Sequence, residues 1–273
     1  MHSPRLIEAD SDGASVAQRK PGDTYVQSFA RGLSVIRSFS ASAPSQTLTE
    51  VAHRTGLTRA GARRILLTLE GLGYVESQGR QFRLTPKILD LGFAYLSSLP
   101  LWNLAEPVME ALVAEVKESC SAAVLDETDV VYVLRVPTHK IMSINLGIGS
   151  RLPAYCTSMG RMLLSGLPED ELERRLRSSA LTRRTDRTET DLEKLKGLIA
   201  QARRQGWCLV NQELEEGLVS LSAPLTDRSG RMIAAMNISG QYNRTPPAYM
   251  LEQFLPLLLN AAKTISKLLA MKT

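Results

Sequence analysis

Cysteine and histidine are scarce, three of each in 273 residues. Cys120, Cys156 and Cys208 are odd in number, lie far apart and form no Cys-x-x-Cys pair, which argues against both a disulfide framework and a zinc site. His2, His53 and His139 are equally scattered, so no metal is expected, and no cofactor signature stands out either. Long apolar runs are missing too. The longest, near residues 255–262, is broken by Asn260 and flanked by charge, whereas crossing a bilayer takes about 20 apolar residues. The first residues carry no apolar core of a signal peptide. A cytoplasmic protein without a membrane partner is the expectation. No internal repeat is visible, and the length suggests about two domains.

What is present is concentrated between residues 47 and 85. Thr47-Leu48-Thr49-Glu50 has the form of a capping box, in which a Thr and a Glu three residues on satisfy each other's free backbone donors. Val51 and Ala52 continue a short helix that stops at Gly56. Thr58 is a second N-cap, and Ala62, Ile65, Leu66, Leu69 and Leu72 follow on one helical face. Arg59, Arg63 and Arg64 precede or flank that stripe, and Gly71 and Gly73 close it. Residues 74–76 and 81–84 form a small hairpin around Ser77-Gln78-Gly79-Arg80. Two short helices, the second with arginines near its start, and then a hairpin describe a winged helix-turn-helix that lays one helix in a DNA major groove.

Charge falls in the same place. Residues 23–87 hold nine Lys or Arg against four acids, an excess of five that equals the net charge of the whole chain. Phosphate neutralisation asks for such a concentration. The plainer alternative is a three-helix domain with a solvated basic face. Arg59 and Arg63 are placed to reach base edges, and Arg64, Arg80 and Arg83 to reach phosphates.

Around this segment the chain divides into four parts. Residues 1–22 are polar and mixed in charge, expected to be a disordered tail. Residues 23–85 are the DNA-binding domain, opened by a helix near 28–40. Residues 86–99 read as a linker helix with Pro86 in its first turn, and its apolar residues on several sides suggest contact with a second subunit. Residues 100–273 form the second domain. A helix at 101–119 is followed by strands at 122–126, 130–136 and 141–146. Helices follow at 158–167, from 167 onward, and at 191–205. Strands at 207–210, 218–224 and 231–239 precede a final helix at 247–271. This is an α+β order around a mainly antiparallel sheet.

The chain resembles the isocitrate lyase regulator (IclR) family of bacterial transcription factors over about residues 25–270. The match runs through Arg31-Gly32-Leu33, the helix-turn-helix and Leu72-Gly73-Tyr74-Val75. It continues through Tyr132-Val133-Leu134-Arg135-Val136 and Gly149-Ser150-Arg151-Leu152-Pro153, which lead to Ser158-Met159-Gly160-Arg161-Met162-Leu163-Leu164. Gln212-Glu213-Leu214-Glu215-Glu216-Gly217-Leu218, Ser222-Ala223-Pro224 and Ile238-Ser239-Gly240 complete it. The resemblance implies a GAF-like effector-binding domain and dimers that pair into tetramers, and two such helix-turn-helix units on a two-fold axis would read a palindromic double-stranded operator. RNA polymerase is a further partner open to such a regulator. The texture of residues 96–102 and 155–161 is similar to regulators of protocatechuate, 4-hydroxybenzoate and β-ketoadipate catabolism. That makes the expected effector an aromatic acid or the dicarboxylate derived from its ring.

A small acid needs a charge-stabilising anchor inside an apolar cavity. The start of the helix at Ser158 offers free N–H groups and a positive dipole end, although Thr157 or Ser158 can also serve as a simple cap. The resemblance assigns the carboxylate to the backbone donors of Ser158 and Met159. It adds contacts from Ser220, Asn237 and Ser239, and apolar walls from Ile141, Ile144, Leu152 and Leu218. From spacing alone the serine stripe could equally be a solvent face, and the walls ordinary core. Val210 stands where the family has a polar contact. Arg135 ends a strand and could hold a second carboxylate in a bidentate pair or make a structural salt bridge. Glu213, Glu215 and Glu216 read as a solvated loop.

Cys156, just before a helix, suggests a rival function as the nucleophile of a small-acid enzyme, but no base partner is visible near it. A structural DNA-binding protein without a ligand is the other rival, and an IclR-type repressor of an unrelated acid the nearest alternative. An effector-responsive transcriptional regulator, and not an enzyme, is the reading the residues favour.

Overall fold

The capping box forms as the sequence predicts: Glu50 N donates to Thr47 Oγ1 at 3.3 Å, and Thr47 N donates to Glu50 Oε2 at 2.7 Å. Thr47 N and Thr47 Oγ1 both donate to Glu50 Oε2 and hold its carboxyl below the ordinary glutamate range. The computed structural model containing this motif describes residues 25–98, 101–138 and 146–272. The tail expected at 1–22, Ile141 and Ile144, and nearly all of the strand expected at 141–146 lie outside the described residues.

The chain divides into two compact units between Tyr95 and Leu96. In the first, α1 (Gln27–Arg37) precedes β1 (Ser45–Thr47), α2 (Leu48–Thr55) and α3 (Arg59–Gly71). Strands β2 (Val75–Gln78) and β3 (Gln81–Leu84) complete a three-stranded antiparallel sheet ordered β1-β3-β2. Val35, Val51, Ala52, Ala62, Leu66, Leu69 and Val75 form its core. Gly56 ends α2 with φ 64°, a conformation that favours glycine. The expected linker helix begins differently: Pro86–Ile88 is a 3-10 turn, and α4 spans Leu89–Ser98. Thr85 caps the turn through Lys87 N, while Lys87 Nζ donates to Leu72 O at 2.9 Å.

The second unit opens with α5 (Leu101–Val116), which carries Pro107 inside it. Strands β4 (Ser119–Asp126) and β5 (Asp129–Val136) form a hairpin, and β6 (Arg151–Pro153) pairs with β5. Helices α6 (Ser158–Ser165), α7 (Glu169–Ser178) and α8 (Leu192–Gln205) follow. After them come β7 (Cys208–Asn211), β8 (Leu218–Thr226) and β9 (Met232–Gln241). The final helical stretch is α9 (Pro247–Tyr249), a π-helical segment (Met250–Phe254) and α10 (Leu255–Lys272). Strand order is β6-β5-β4-β9-β8-β7, with every neighbouring pair antiparallel.

Alternation along the strands separates two cores. Leu221, Met236 and Ile238 belong to the one that includes Met109 and Leu112 of α5 and Leu258 and Ile265 of α10. Ala123, Tyr132, Val210 and Ala235 belong to the other, with Met159, Met162 and Leu163 of α6 and Leu195 and Ile199 of α8. The stretch Pro247–Met271 is long and apolar enough to cross a membrane by length and composition. Here Met250, Phe254, Leu258, Ile265 and Leu269 are buried in the first of these cores.

Candidate functional site

In the first unit, Thr58 Oγ1 accepts from Gly61 N at 3.1 Å and fixes the start of α3. Ala62, Leu66 and Leu69 turn inward, so Arg59, Arg63 and Arg64 are left exposed on the opposite side. Arg59 and Arg63 are one turn apart and share a face. Gly79 and Arg80 form the tip between β2 and β3, where Gln78 and Gln81 are opposed. Arg80 and Arg83 are exposed, but Arg83 Nε pairs with Glu76 Oε1 at 2.5 Å. The pair follows from the hairpin register, in which Glu76 lies opposite Arg83. A phosphate must compete with that carboxylate for Arg83.

In the second unit, the α6 side of the sheet holds a small cleft of about 30 Å³. Arg135, Ser158, Met159, Leu218, Ser220, Asn237 and Ser239, all singled out from the sequence, line it together. Leu152 does not. It pairs opposite Val130 in β6 and packs against the α6-side core, because residues 151–153 form an edge strand rather than leading straight into a helix. Tyr132, Leu146, Cys156, Thr157, Val210 and Leu214 also line the cleft. Val210 supplies an apolar surface where the family resemblance implied a polar one.

Thr157 caps α6, its Oγ1 accepting from Gly160 N at 3.2 Å. Ser158 N and Met159 N have no acceptor among the described residues, and both residues are 1% exposed. A buried unpaired donor is costly, and two of them at the positive end of a helix suit an anion. Cap and anchor therefore coexist.

Beneath these donors lies a serine network. Ser158 Oγ is 2.8 Å from Ser220 Oγ, which is 3.1 Å from Ser239 Oγ. Asn237 Nδ2 donates to both Ser220 Oγ and Ser239 Oγ at 2.8 Å, and its Oδ1 accepts from Ser121 N at 3.2 Å. Three hydroxyls share two mutual contacts, so one O–H proton is left over. Ser220 Oγ already accepts from Asn237 and has room for one more donor. The surplus proton therefore sits on Ser158 or Ser239. The stripe is not a solvent face: Ser220 and Asn237 are 9% and 3% exposed.

Arg135 is half-buried and makes no ion pair among the described residues, only a 3.3 Å bond from Nη1 to Ser121 Oγ. Burial raises the Tyr132 phenol to about 12, so it faces the cleft as a neutral hydroxyl. Burial likewise pushes the Cys156 thiol up to about 11. A protonated thiol is a poor nucleophile, which counts against Cys156 as an enzyme's nucleophile. No group of three or more His, Cys, Asp or Glu suited to a metal is found among the described residues.

Sequence reasoning missed the most buried charge. Arg161 of α6 donates through Nη1 and Nη2 to the two oxygens of Glu213, at 2.6 and 2.5 Å. The side chains are 3% and 12% exposed, so Glu213 does not belong to a solvated loop. The signal was available: Met159, Met162, Leu163 and Leu164 make α6 largely apolar, and a charge inside such a helix needs a partner.

A helix-turn-helix unit joined in one chain to an α+β unit with an anion-shaped cleft defines a ligand-responsive DNA-binding regulator. The chain belongs to the IclR family of bacterial transcriptional regulators: residues 28–79 match the IclR helix-turn-helix domain and residues 93–267 the IclR C-terminal domain. Members bind operator DNA and small-molecule effectors and oligomerise. The chain is 43% identical over 242 residues to the Pca regulon regulatory protein of Pseudomonas putida, covering 88% of this chain and 83% of that one. A transcriptional regulator from Rhodococcus sp. RHA1 has a similar structure, with a TM-score of 0.82 and 48% identity, over 91% of this chain and 100% of that one. An IclR homolog from Microbacterium hydrocarbonoxydans, complexed with 4-hydroxybenzoate, superposes with a TM-score of 0.78 at 26% identity, over 88% and 98%. These relatives are regulators, and the chain is a regulator rather than an enzyme.

Proposed function

We propose that this regulator controls an operon for aromatic-acid breakdown and senses a carboxylate effector in the cleft beside α6. The carrying observation is the pair of buried, unpartnered N–H groups of Ser158 and Met159 above a hydroxyl network with one surplus proton. All of these groups donate, and an ionised carboxylate only accepts. Arg135 offers a donor to a second polar group, a ring hydroxyl or a second carboxylate. The relative bound to 4-hydroxybenzoate and the Pca regulon relative support an acid of this class. The sheet with helices on both faces fits a GAF-like domain. On the DNA side, α3 enters the major groove of a palindromic operator, Arg59 and Arg63 reading bases and Arg64, Arg80 and Arg83 meeting phosphates. Two-fold pairing of chains supplies the second half-site reader, and operator binding supports a cytoplasmic location.

A thermal-shift screen with benzoate, 4-hydroxybenzoate, protocatechuate and β-ketoadipate tests the effector. At least one should raise Tm and alter operator affinity without being consumed. Arg135→Met should weaken binding of β-ketoadipate more than that of benzoate. If none of the four binds, the assignment of the cleft is wrong.

A further inference from the structure

Arg161 and Glu213 form a buried ion pair whose further contacts reach the turn before the anchor and the approach to α8. Arg161 Nε donates to Tyr155 O at 2.7 Å, in the turn just before the anchor. Glu213 Oε2 accepts from Glu189 N at 3.0 Å, and the Glu189 carboxylate accepts from Asp191 N at 2.9 Å, at the cap of α8. Thr185 and Thr188 hydroxyls donate to the carbonyls of Gln212 and Glu213 at 2.7 and 2.6 Å. Residue 213 opens the short loop that carries Leu214 and leads to Leu218, both lining the cleft.

Buried ion pairs are weak sources of net stability, and well-packed apolar residues often replace them without loss. Their geometry is what apolar residues do not reproduce, because a bidentate fork fixes both distance and angle. On the effector reading of the cleft, we propose that Arg161 and Glu213 are positioning residues for the effector. The pair holds the anchoring start of α6 and the Leu214–Leu218 wall at a set separation. That separation decides how broad a ligand the cleft accepts. Glu213 also neutralises Arg161, which leaves Arg135 as the cation lining the cleft among the described residues.

The test uses the full-length protein and calorimetry with two probes, 4-hydroxybenzoate for a broad rigid acid and adipate for a thin flexible one. Glu213→Gln puts an amide N–H against the guanidinium and should weaken 4-hydroxybenzoate at least tenfold and adipate clearly less. Arg161→Lys keeps the charge and should fall between Glu213→Gln and wild type. Leu258→Ala, in the core with α5 and α10, is the control for destabilisation and should keep both affinities within about twofold at an equal or larger loss of Tm. The double variant Arg161→Met with Glu213→Met should melt near wild type and still lose discrimination between the probes. Ser239→Ala separates the two ideas. If it weakens binding while Glu213→Gln leaves both affinities and their ratio unchanged, the positioning role fails and the cleft stands. If wild type binds neither probe, or Ser239→Ala has no effect, the cleft assignment falls and the proposal with it.

Discussion

Asn237 has as many side-chain partners as Ser220, donating to two hydroxyls and accepting from Ser121 N. Ser239→Ala removes one hydroxyl near the anion and should weaken effector binding by about 1.5–3 kcal/mol, roughly ten- to a hundredfold, with little change in Tm. Asn237→Ala should weaken binding at least as much and also cost about 1–3 kcal/mol of stability, read from urea melts beside calorimetry. Cys156 carries a pH prediction. Burial raises its folded pKa to about 11, above the unfolded value of ~8.5. The fold holds the proton longer than the unfolded chain, so this stabilisation is intact below about pH 8.5. It is lost as pH rises toward 11, and Cys208, raised to about 12, acts in the same direction. Urea melts at pH 7.5, 9 and 10.5 should show falling stability, and native Cys156 should resist iodoacetamide at pH 8. Residue identities in the cleft were legible because family resemblance and strand alternation agreed on Ser220, Asn237 and Ser239. Glu213 was misread because its partner stands 52 positions away in sequence, and acidic neighbours at 215 and 216 looked like a solvated run.

At the scale of elements, α6 sits tight against the turn that precedes it. A Cβ on Gly160 would collide with the backbone of Ala154, so Gly160→Ala must lift the helix off the preceding turn. It should abolish effector binding and lower the Tm of the second unit, while the operator is still bound without effector. In the wing, Glu76→Gln releases Arg83 from its cross-strand partner. Operator affinity should rise at low salt, and the salt dependence should steepen, because one more cation is free to displace counterions. Arg63→Ala should instead cost about 1–3 kcal/mol and relax preference at one base position. A shift assay across salt concentrations and operator variants separates the two. Caps made α2 and α3 readable, since Thr47 and Thr58 each bind a backbone N–H three residues on. Strand β6 was not readable. Three residues ending in a proline carry no alternation to detect, and only the edge of β5 gives them a partner.

For the molecule as a whole, apolar surface is left uncovered in the first unit. Phe29 is 68% exposed, Leu89 70% and Phe93 69%. Leu89 and Phe93 lie one turn apart on α4, a face open to a second copy, and a dimer on a two-fold axis is the assembly that a palindrome requires. Phe93→Glu should lower the dimer fraction in sedimentation at micromolar concentration and weaken operator binding with it; a wild-type monomer with and without DNA would refute this. The α+β order and the antiparallel sheet were legible from alternation and turn residues. Strand order was not, because pairing between distant strands leaves no local pattern.

That pairing has a consequence for synthesis. The centre of the large sheet joins β4 to β9, with Ser119 opposite Ser239, so its halves meet only after almost the whole chain has left the ribosome. Asn237 and Ser239 lie on that late strand. Contacts so distant in sequence are slow to form, and domains made first fold first. A nascent chain therefore gains its DNA-reading helix well before it can recognise an effector. A chain cut short after β8 would be a DNA binder that is deaf to its signal.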